Sequence, residues 1–326
     1  MEFDLIELIR KRGTAARDDV LLGIGDDAAL LRPPPEHVLA VAVDTLVEGV
    51  HFPVGTAAFD IGWKALAVNL SDLAAMGATP AWALLSLTLP HADRRFVEGL
   101  IDGFATLAGQ HRLALVGGDT TRGPLNVSVT AHGFVLPGQA LQRVGAKAGD
   151  AIFVTGTLGD AAAGLCCLDR ERADADQLMG ASGGSRGKLI DALNRPQPRV
   201  AAGNFLRGVA SACIDVSDGL LADLGHLCTA SGVGAEIDAD ALPLSSALLT
   251  LFDAEARDFA LAGGDDYELC FTVPADRAGE VSSNLSRMGC GAARIGRIVS
   301  GEGLRVHDTE GRPVRCPKTS WEHFRT

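Results

Sequence analysis

Aspartates recur in this 326-residue chain where an apolar run gives way to glycines or a polar turn. GIGDDAAL carries Asp26 and Asp27, VAVDTLVEGVHF carries Asp44, and VGGDTTRG carries Asp119. CIDVSDGL adds Asp215 and Asp218, and GGDDYELC adds Asp265 and Asp266. Strand ends are where a rigid scaffold presents working loops. Hard carboxylate oxygens there suit Mg²⁺, which shares its shell between carboxylates, waters and substrate phosphates. A plainer reading exists for each loop alone, because Asp and Gly favour turns and Ser217 or Asp218 would cap a following helix. Repetition of the pattern at successive strand ends is what a turn-forming role leaves unexplained.

Asp72 breaks the pattern. It lies late in the apolar stretch NLSDLAAMG, five residues before Gly77. A carboxylate near a helix C-terminus opposes the helix dipole at a cost of a few tenths to ~1 kcal/mol. Its neighbours Leu70, Leu73, Ala74 and Ala75 imply partial burial, which raises that cost unless a cation compensates. The cation is either a bound metal or a basic partner such as Lys64 or an arginine. Departures from local rules mark candidate functional sites.

TGTLGDAAAG follows a strand and opens a helix, so its backbone N–H groups are candidates to face a phosphate. It lacks the Gly-Lys-Ser/Thr of a P-loop, and the chain has neither a Gly-x-Ser-x-Gly elbow nor an HExxH helix. The histidines are scattered, and only His51, just after the Asp44 segment, sits beside the acids. No side chain claims the role of general acid, base or nucleophile. Phosphoryl transfer needs none, since metal ions and positioning supply most of its catalysis.

The elements that must position these residues alternate in type. Residues 38–44 read as a strand, 59–77 as a helix closed by Gly77, 81–90 as a strand and 94–111 as a helix. Residues 113–118 and 125–137 read as strands, the second with one buried face. The pattern loosens through GQALQRVGAKAGD, which sets a domain boundary near 137–149. This gives an N-terminal domain at 1–137 and a C-terminal domain at 149–326. Beyond it come a strand at 151–156, a helix at 160–171, a flexible loop at 180–187, a helix at 198–210, strands at 212–217, 234–240 and 268–274, with a helix at 219–231. GLRVHDTEGRPVRC reads as a hairpin. Each half mixes strands and helices, so the fold class is α/β or α+β.

Apolar residues make up 47% of the chain and charged residues 21%, ordinary for a globular protein. Its net charge of −12 argues against nucleic-acid binding and calls for divalent cations between the acids and any anionic ligand. The seven cysteines show no zinc spacing and read as reduced core residues of a cytoplasmic protein. MEFDLIELIRKR reads as an amphipathic helix rather than a signal peptide, and no stretch is long and apolar enough to span a membrane.

Taken in order, GIGDDAAL, VDTLVEGVHF, KALAVNLSDLAAMGATP, LVGGDTTRGP, VTGTLGD, IDVSDGL and GGDDYEL closely resemble the thiamine-monophosphate kinase family. The resemblance covers essentially the whole chain. It extends more distantly to aminoimidazole-ribonucleotide synthetase, selenophosphate synthetase and the hydrogenase-maturation protein HypE. It implies an N-terminal α/β domain that forms a homodimer through its sheet, a larger C-terminal α/β domain, and ATP and thiamine monophosphate as substrates. By the same resemblance the Mg²⁺ ligands would be Asp27, Asp44, Asp72, Asp119, Asp215 and Asp218, with Ala42 and Val43 contributing beside Asp44. Gly118, Asp119, Arg143 and Ser217 would contact ATP, and His51, Asp265 and Trp321 thiamine monophosphate. The family often has Glu where this chain has Asp265, and a hydroxyl residue where it has Val43, whose ligand would then be its backbone carbonyl.

Two other readings make distinct demands. Selenophosphate synthetase resemblance calls for a cysteine in an N-terminal glycine loop, and the first cysteine here is Cys166; HypE resemblance calls for a cysteine tail, and this chain ends in HFRT. A passive acidic metal-binding scaffold would have no use for a base such as Arg143 among the acids.

Overall fold

The structure is a computed structural model that describes residues 2–13, 16–169 and 183–315. It divides into two compact units, Met1–Leu73 with Ala78–Ala140, and Ala74–Gly77 with Leu141–Thr326.

The first unit opens with helix α1 (Glu2–Gly13) and the short antiparallel pair β1 (Val20–Leu22) and β2 (Leu30–Leu31). Its main sheet takes β3 (Val38–Val47), β4 (Thr79–Leu89), β5 (Ala114–Arg122) and β6 (Asn126–Val135) in the order β3-β6-β4-β5. β6 runs antiparallel to both β3 and β4, and β4 is parallel to β5, so β3 and β5, which carry Asp44 and Asp119, point the same way. Helix α2 (Ala58–Ala75) is apolar almost all round and accordingly buried, from Ile61 and Trp63 through Leu66, Leu70 and Leu73. Gly77, at φ 62°, ends it in the left-handed turn that the sequence suggests. Helix α3 (Arg94–Gln110) starts on Asp93, whose carboxylate accepts from the amides of Arg95 and Phe96, and it buries Val97, Leu100, Ile101, Phe104 and Leu107 as one stripe. The two helices touch at backbone distance. A Cβ on Gly62 would lie 1.8 Å from the Leu100 carbonyl oxygen, and one on Gly103 would lie 1.9 Å from that of Phe59. On a sheet face, Trp82 packs edge-on against Phe134 at 4.9 Å and donates its indole N–H to Asp19 at 3.1 Å, beneath Val20 and Leu31.

The second unit is a six-stranded sheet with helices. Its strands are β7 (Ala151–Thr155), β8 (Ala212–Val216), β9 (Gly234–Asp238), β10 (Glu268–Val273), β11 (Ala292–Val299) and β12 (Gly303–His307), ordered β12-β9-β11-β7-β10-β8. The helices are α4 (Asp160–Leu168), α5 (Gly183–Asn194), α6 (Val200–Leu206), α7 (Leu220–Ser231), α8 (Ser246–Phe252), α9 (Ala256–Ala262) and α10 (Ala278–Arg287). Leu220, Leu224 and Leu227 of α7 pack on Ile152, Val154, Ile214 and Ile237 of the sheet. Ala163, Cys167, Leu189, Leu248 and Ala256 make a separate core between helices. Among the described residues, no helix is long and apolar enough to cross a membrane.

Two expectations need correction. The glycine-rich stretch 180–187 is not a loop from Gly183 onward, because α5 begins there and buries Leu189 and Leu193. The tail is not a simple hairpin. β12 pairs in parallel with β9, while residues after the Asp308 turn return only far enough for a bridge between His307 and Pro313.

Candidate active site

Within the first unit, Asp44 and Asp72 are brought together. Asp44 lies in the last half of β3 and Asp72 on α2, and their carboxyls are hydrogen-bonded to one another. Burial pushes the Asp44 carboxyl above its usual range, while Asp72 and the His51 imidazole act in the opposite direction. Two carboxyls in hydrogen-bond contact cannot both stay ionised unless a proton or a cation lies between them. His51 is held by a tight turn, in which the Val47 amide donates to its Nδ1 at 3.0 Å and its own amide donates to the Val47 carbonyl at 3.0 Å. Lys64, buried on α2, donates to the His51 carbonyl at 3.1 Å. Ala42 shares the partly covered side of β3 with Asp44, whereas Val43 projects outward and is 64% exposed.

Asp119 stands further across the sheet. Asp44 shares a cross-strand row with Val129, Leu85 and Gly118, and Asp119 occupies the next row, with Thr45, Ser128 and Ser86. Gly118 cannot be another residue here, since its φ is 152° and a Cβ would sit 1.8 Å from the Leu85 carbonyl oxygen. Asp119 is exposed and borders a cavity of about 810 Å³ lined also by Leu5, Leu89, His91 and Arg122. Asp27 is exposed in the loop between β1 and β2, its amide donating to Asp26 at 2.8 Å.

In the second unit, Asp215 is buried in β8, opposite Leu269 of β10, and Ser217 and Asp218 follow in the turn into α7. Sequence reasoning missed the residue that organises this turn. Asp223, in the first turn of α7 and only 3% exposed, accepts from the amides of Ser217, Asp218 and Gly219 at 3.0, 3.0 and 3.2 Å. Burial, opposed by those amides and reinforced by the charges of Asp215 and Asp218, pushes its carboxyl up to about 7. The available signal was an acid in the first turn after Ser-Asp-Gly, the spacing of a side chain that reaches back to a helix start.

The GGDDYE segment lies against the same turn. Asp265 and Tyr267 both hold positive φ, 69° and 50°, and donate their amides to the carbonyls of Ser217 and Val216 at 2.8 Å each. Non-glycine residues in this region store strain of order 1–3 kcal/mol, a feature that clusters at working sites. The Tyr267 hydroxyl donates to the Asp265 carboxylate at 3.0 Å. Glu268, which follows, is a buried carboxylate held bidentate by Nε and Nη2 of the Arg199 guanidinium and by the Thr155 hydroxyl at 2.6 Å.

The TGTLGD turn does not offer its amides to a phosphate as expected. Asp266 accepts from the Gly159 amide at 2.8 Å and from that of Ala161, capping α4 with the protein's own carboxylate. Arg143 is exposed, and its carbonyl accepts from the Ser231 hydroxyl at 3.1 Å. Trp321 lies outside the described residues.

Among the described residues, no three His, Cys, Asp or Glu side chains gather around one metal position.

This two-unit α/β chain belongs to the AIR synthase related proteins. The N-terminal domain of that family matches residues 25–135 and its C-terminal domain residues 147–309. Within it, the chain belongs to the thiamine-monophosphate kinase family. It is 46% identical to the thiamine-monophosphate kinase of Salmonella typhimurium, over all of this chain and 98% of that protein. The crystal structure of the Stenotrophomonas maltophilia enzyme superposes with a TM-score of 0.87 at 53% identity, over 96% of this chain and 98% of the other. AaThiL complexed with AMPPCP and TMP superposes with a TM-score of 0.77 at 33% identity, over 99% of this chain and 97% of the other.

Proposed function

We propose that this chain transfers the γ-phosphoryl group of ATP directly to the phosphate of thiamine monophosphate, giving thiamine diphosphate. The observation that carries the reading is the full-length likeness to AaThiL complexed with AMPPCP and TMP. The half-buried Asp44–Asp72 pair supports a cation requirement, since it brings two acids into hydrogen-bond contact.

In this reading Asp27, Asp44, Asp72 and Asp119 of the first unit and Asp215 and Asp218 of the second hold Mg²⁺, with backbone carbonyls of Ala42 and Val43 beside Asp44. Bound Mg²⁺ supplies neutralisation of charge on the transferring phosphoryl oxygens. Gly118 allows the β5 backbone to approach a nucleotide closely, Asp119 and Ser217 orient it, and Arg143 offers a charge-assisted donor to its phosphates. His51, Asp265 and Trp321 contact thiamine monophosphate in this reading.

A homodimer belongs to the same reading. Val38, Val41 and Val43 on β3 are 50%, 56% and 64% exposed, an apolar edge suited to a second copy of the chain. The free state of the six described cysteines supports the cytoplasm.

A coupled assay of ADP release with thiamine monophosphate, thiamine and aminoimidazole precursors as acceptors tests the function. Turnover is expected with thiamine monophosphate and Mg²⁺ and not with the others. Turnover with an aminoimidazole precursor in its place would move the chain to a synthetase.

A further inference from the structure

Three consecutive amides, those of Ser217, Asp218 and Gly219, point at one oxygen of one side chain, Oδ2 of Asp223. Successive N–H groups arranged this way form a concave nest that ordinarily takes an anion from outside. Here the anion is built in. A buried carboxylate beside the acids Asp215 and Asp218 is a costly choice for a helix start that a serine or threonine would cap more cheaply. From the other side, the Asp265 and Tyr267 amides tie down the carbonyls of Ser217 and Val216. The backbone of 216–219 is thereby fixed at its donors and its acceptors. The Ser217 and Asp218 side chains remain half-exposed at the end of β8.

We propose that Asp223 is a positioning residue for the kinase reaction, which holds the 217–219 turn in the one conformation that presents Asp218 to Mg²⁺ and Ser217 to the nucleotide. The inference rests on the assignment of Asp218 as a metal ligand made above. Asp223 itself touches neither substrate nor metal. Its carboxylate sets where the next residues' side chains stand, and a turn released from it would have to be reordered each time Mg²⁺ and ATP bind. The cost of that reordering falls on the Mg²⁺ and ATP dependence and spares the acceptor.

The test uses the full chain with Asp223→Ala, Asp223→Asn and Asp218→Asn. Hydrogen exchange is followed at peptides covering 217–219, together with the thermal shift caused by Mg²⁺ plus ATP and the Mg²⁺ concentration for half-activation. Loss of charge-assisted hydrogen bonds predicts for Asp223→Ala about ten-fold faster exchange and about ten-fold more Mg²⁺ for half-activation, with KM for thiamine monophosphate within two-fold of wild type. Asp223→Asn keeps an acceptor oxygen and is expected to recover most of both effects. Asp223→Ser repeats the test if the alanine variant does not fold. Faster exchange with an unaltered Mg²⁺ response would overturn the positioning role and leave Asp218 as a ligand. An unchanged Mg²⁺–ATP thermal shift in Asp218→Asn would remove the ligand assignment, and with it the role given to Asp223.

Discussion

Asp44 and Asp72 face each other because β3 and α2 are fixed by burial all along α2, so neither acid can turn away without unpacking a helix. Replacing Asp72 by Asn keeps the shape and a hydrogen bond to Asp44 but removes the charge that would hold Mg²⁺. Asp72→Asn is therefore expected to fold normally, with unchanged circular dichroism, and to lose more than ten-fold in kcat at saturating Mg²⁺. Retention of more than about a tenth of the rate, a loss below ~1.4 kcal/mol, would remove Asp72 from the ligands. The chain's one tyrosine works on the other unit. Tyr267 donates to Asp265. Tyr267→Phe deletes this hydrogen bond and with it one of the restraints on the Asp265 side chain. A loss of ~1–2 kcal/mol predicts a five- to thirty-fold rise in KM for thiamine monophosphate, with KM for ATP near wild type. An equal rise in both constants would assign Tyr267 to folding alone.

At the level of elements, backbone packing decides where the acids stand. β5 can carry Asp119 past the covered part of the sheet only because Gly118 lets the Leu85 carbonyl pass where a Cβ would be. Gly118→Ala must push β5 away from β4, whereas at Gly117 an added Cβ meets only the tip of the Leu84 side chain at 3.0 Å. Gly118→Ala is expected to lower stability by ~2 kcal/mol or more in urea melts and to abolish activity. Gly117→Ala should cost ~1 kcal/mol or less and keep most of the rate. Equal effects would mean that the strand pair adjusts freely. How much of this was written in the sequence follows from range. Helices α2 and α3 and strands β3 to β6 were legible because their apolar spacing is local and strong, but Asp44 and Asp119 lie within their strands, which run on to Val47 and Arg122, rather than at the ends. Helix α5 was hidden by its opening glycines, which favour a loop until Leu189 finds a neighbouring helix to pack on. The parallel partner of β12 lies some way back in the chain at β9, a pairing no local pattern specifies. Asp223 went unnoticed and Asp266 was grouped with Asp265 as a loop acid, because the amides that occupy them belong to turns whose shape appears only after folding.

For the whole molecule, the acids that define the function work against the stability of the protein without cations. The net charge is −12, and the carboxyls of Asp44 and Asp223 are both raised by burial. A carboxyl raised from 3.8 to about 7, as for Asp223, binds its proton more tightly in the folded than in the unfolded chain. Its contribution to stability is complete below about pH 4 and is lost as pH climbs toward 7 and beyond. Exposed acids held low by arginines, such as Glu236 beside Arg297, work in the opposite sense only as pH falls toward 4. His111 and His132, lowered by burial, destabilise the fold as pH falls through 6.5. The Asp223 contribution is therefore read as a difference between wild type and Asp223→Asn, which shares every other titrating group. With metal removed by chelator, the stability of wild type relative to this variant should fall by roughly 2–4 kcal/mol between pH 4.5 and pH 8. Addition of Mg²⁺ and ATP at pH 8 should raise the melting temperature of wild type by more than the sum of the two added singly, because the phosphates complete the metal's shell. A difference between the two proteins that does not change with pH would mean that Asp223 carries its charge in the fold as easily as in water, held entirely by its three amides.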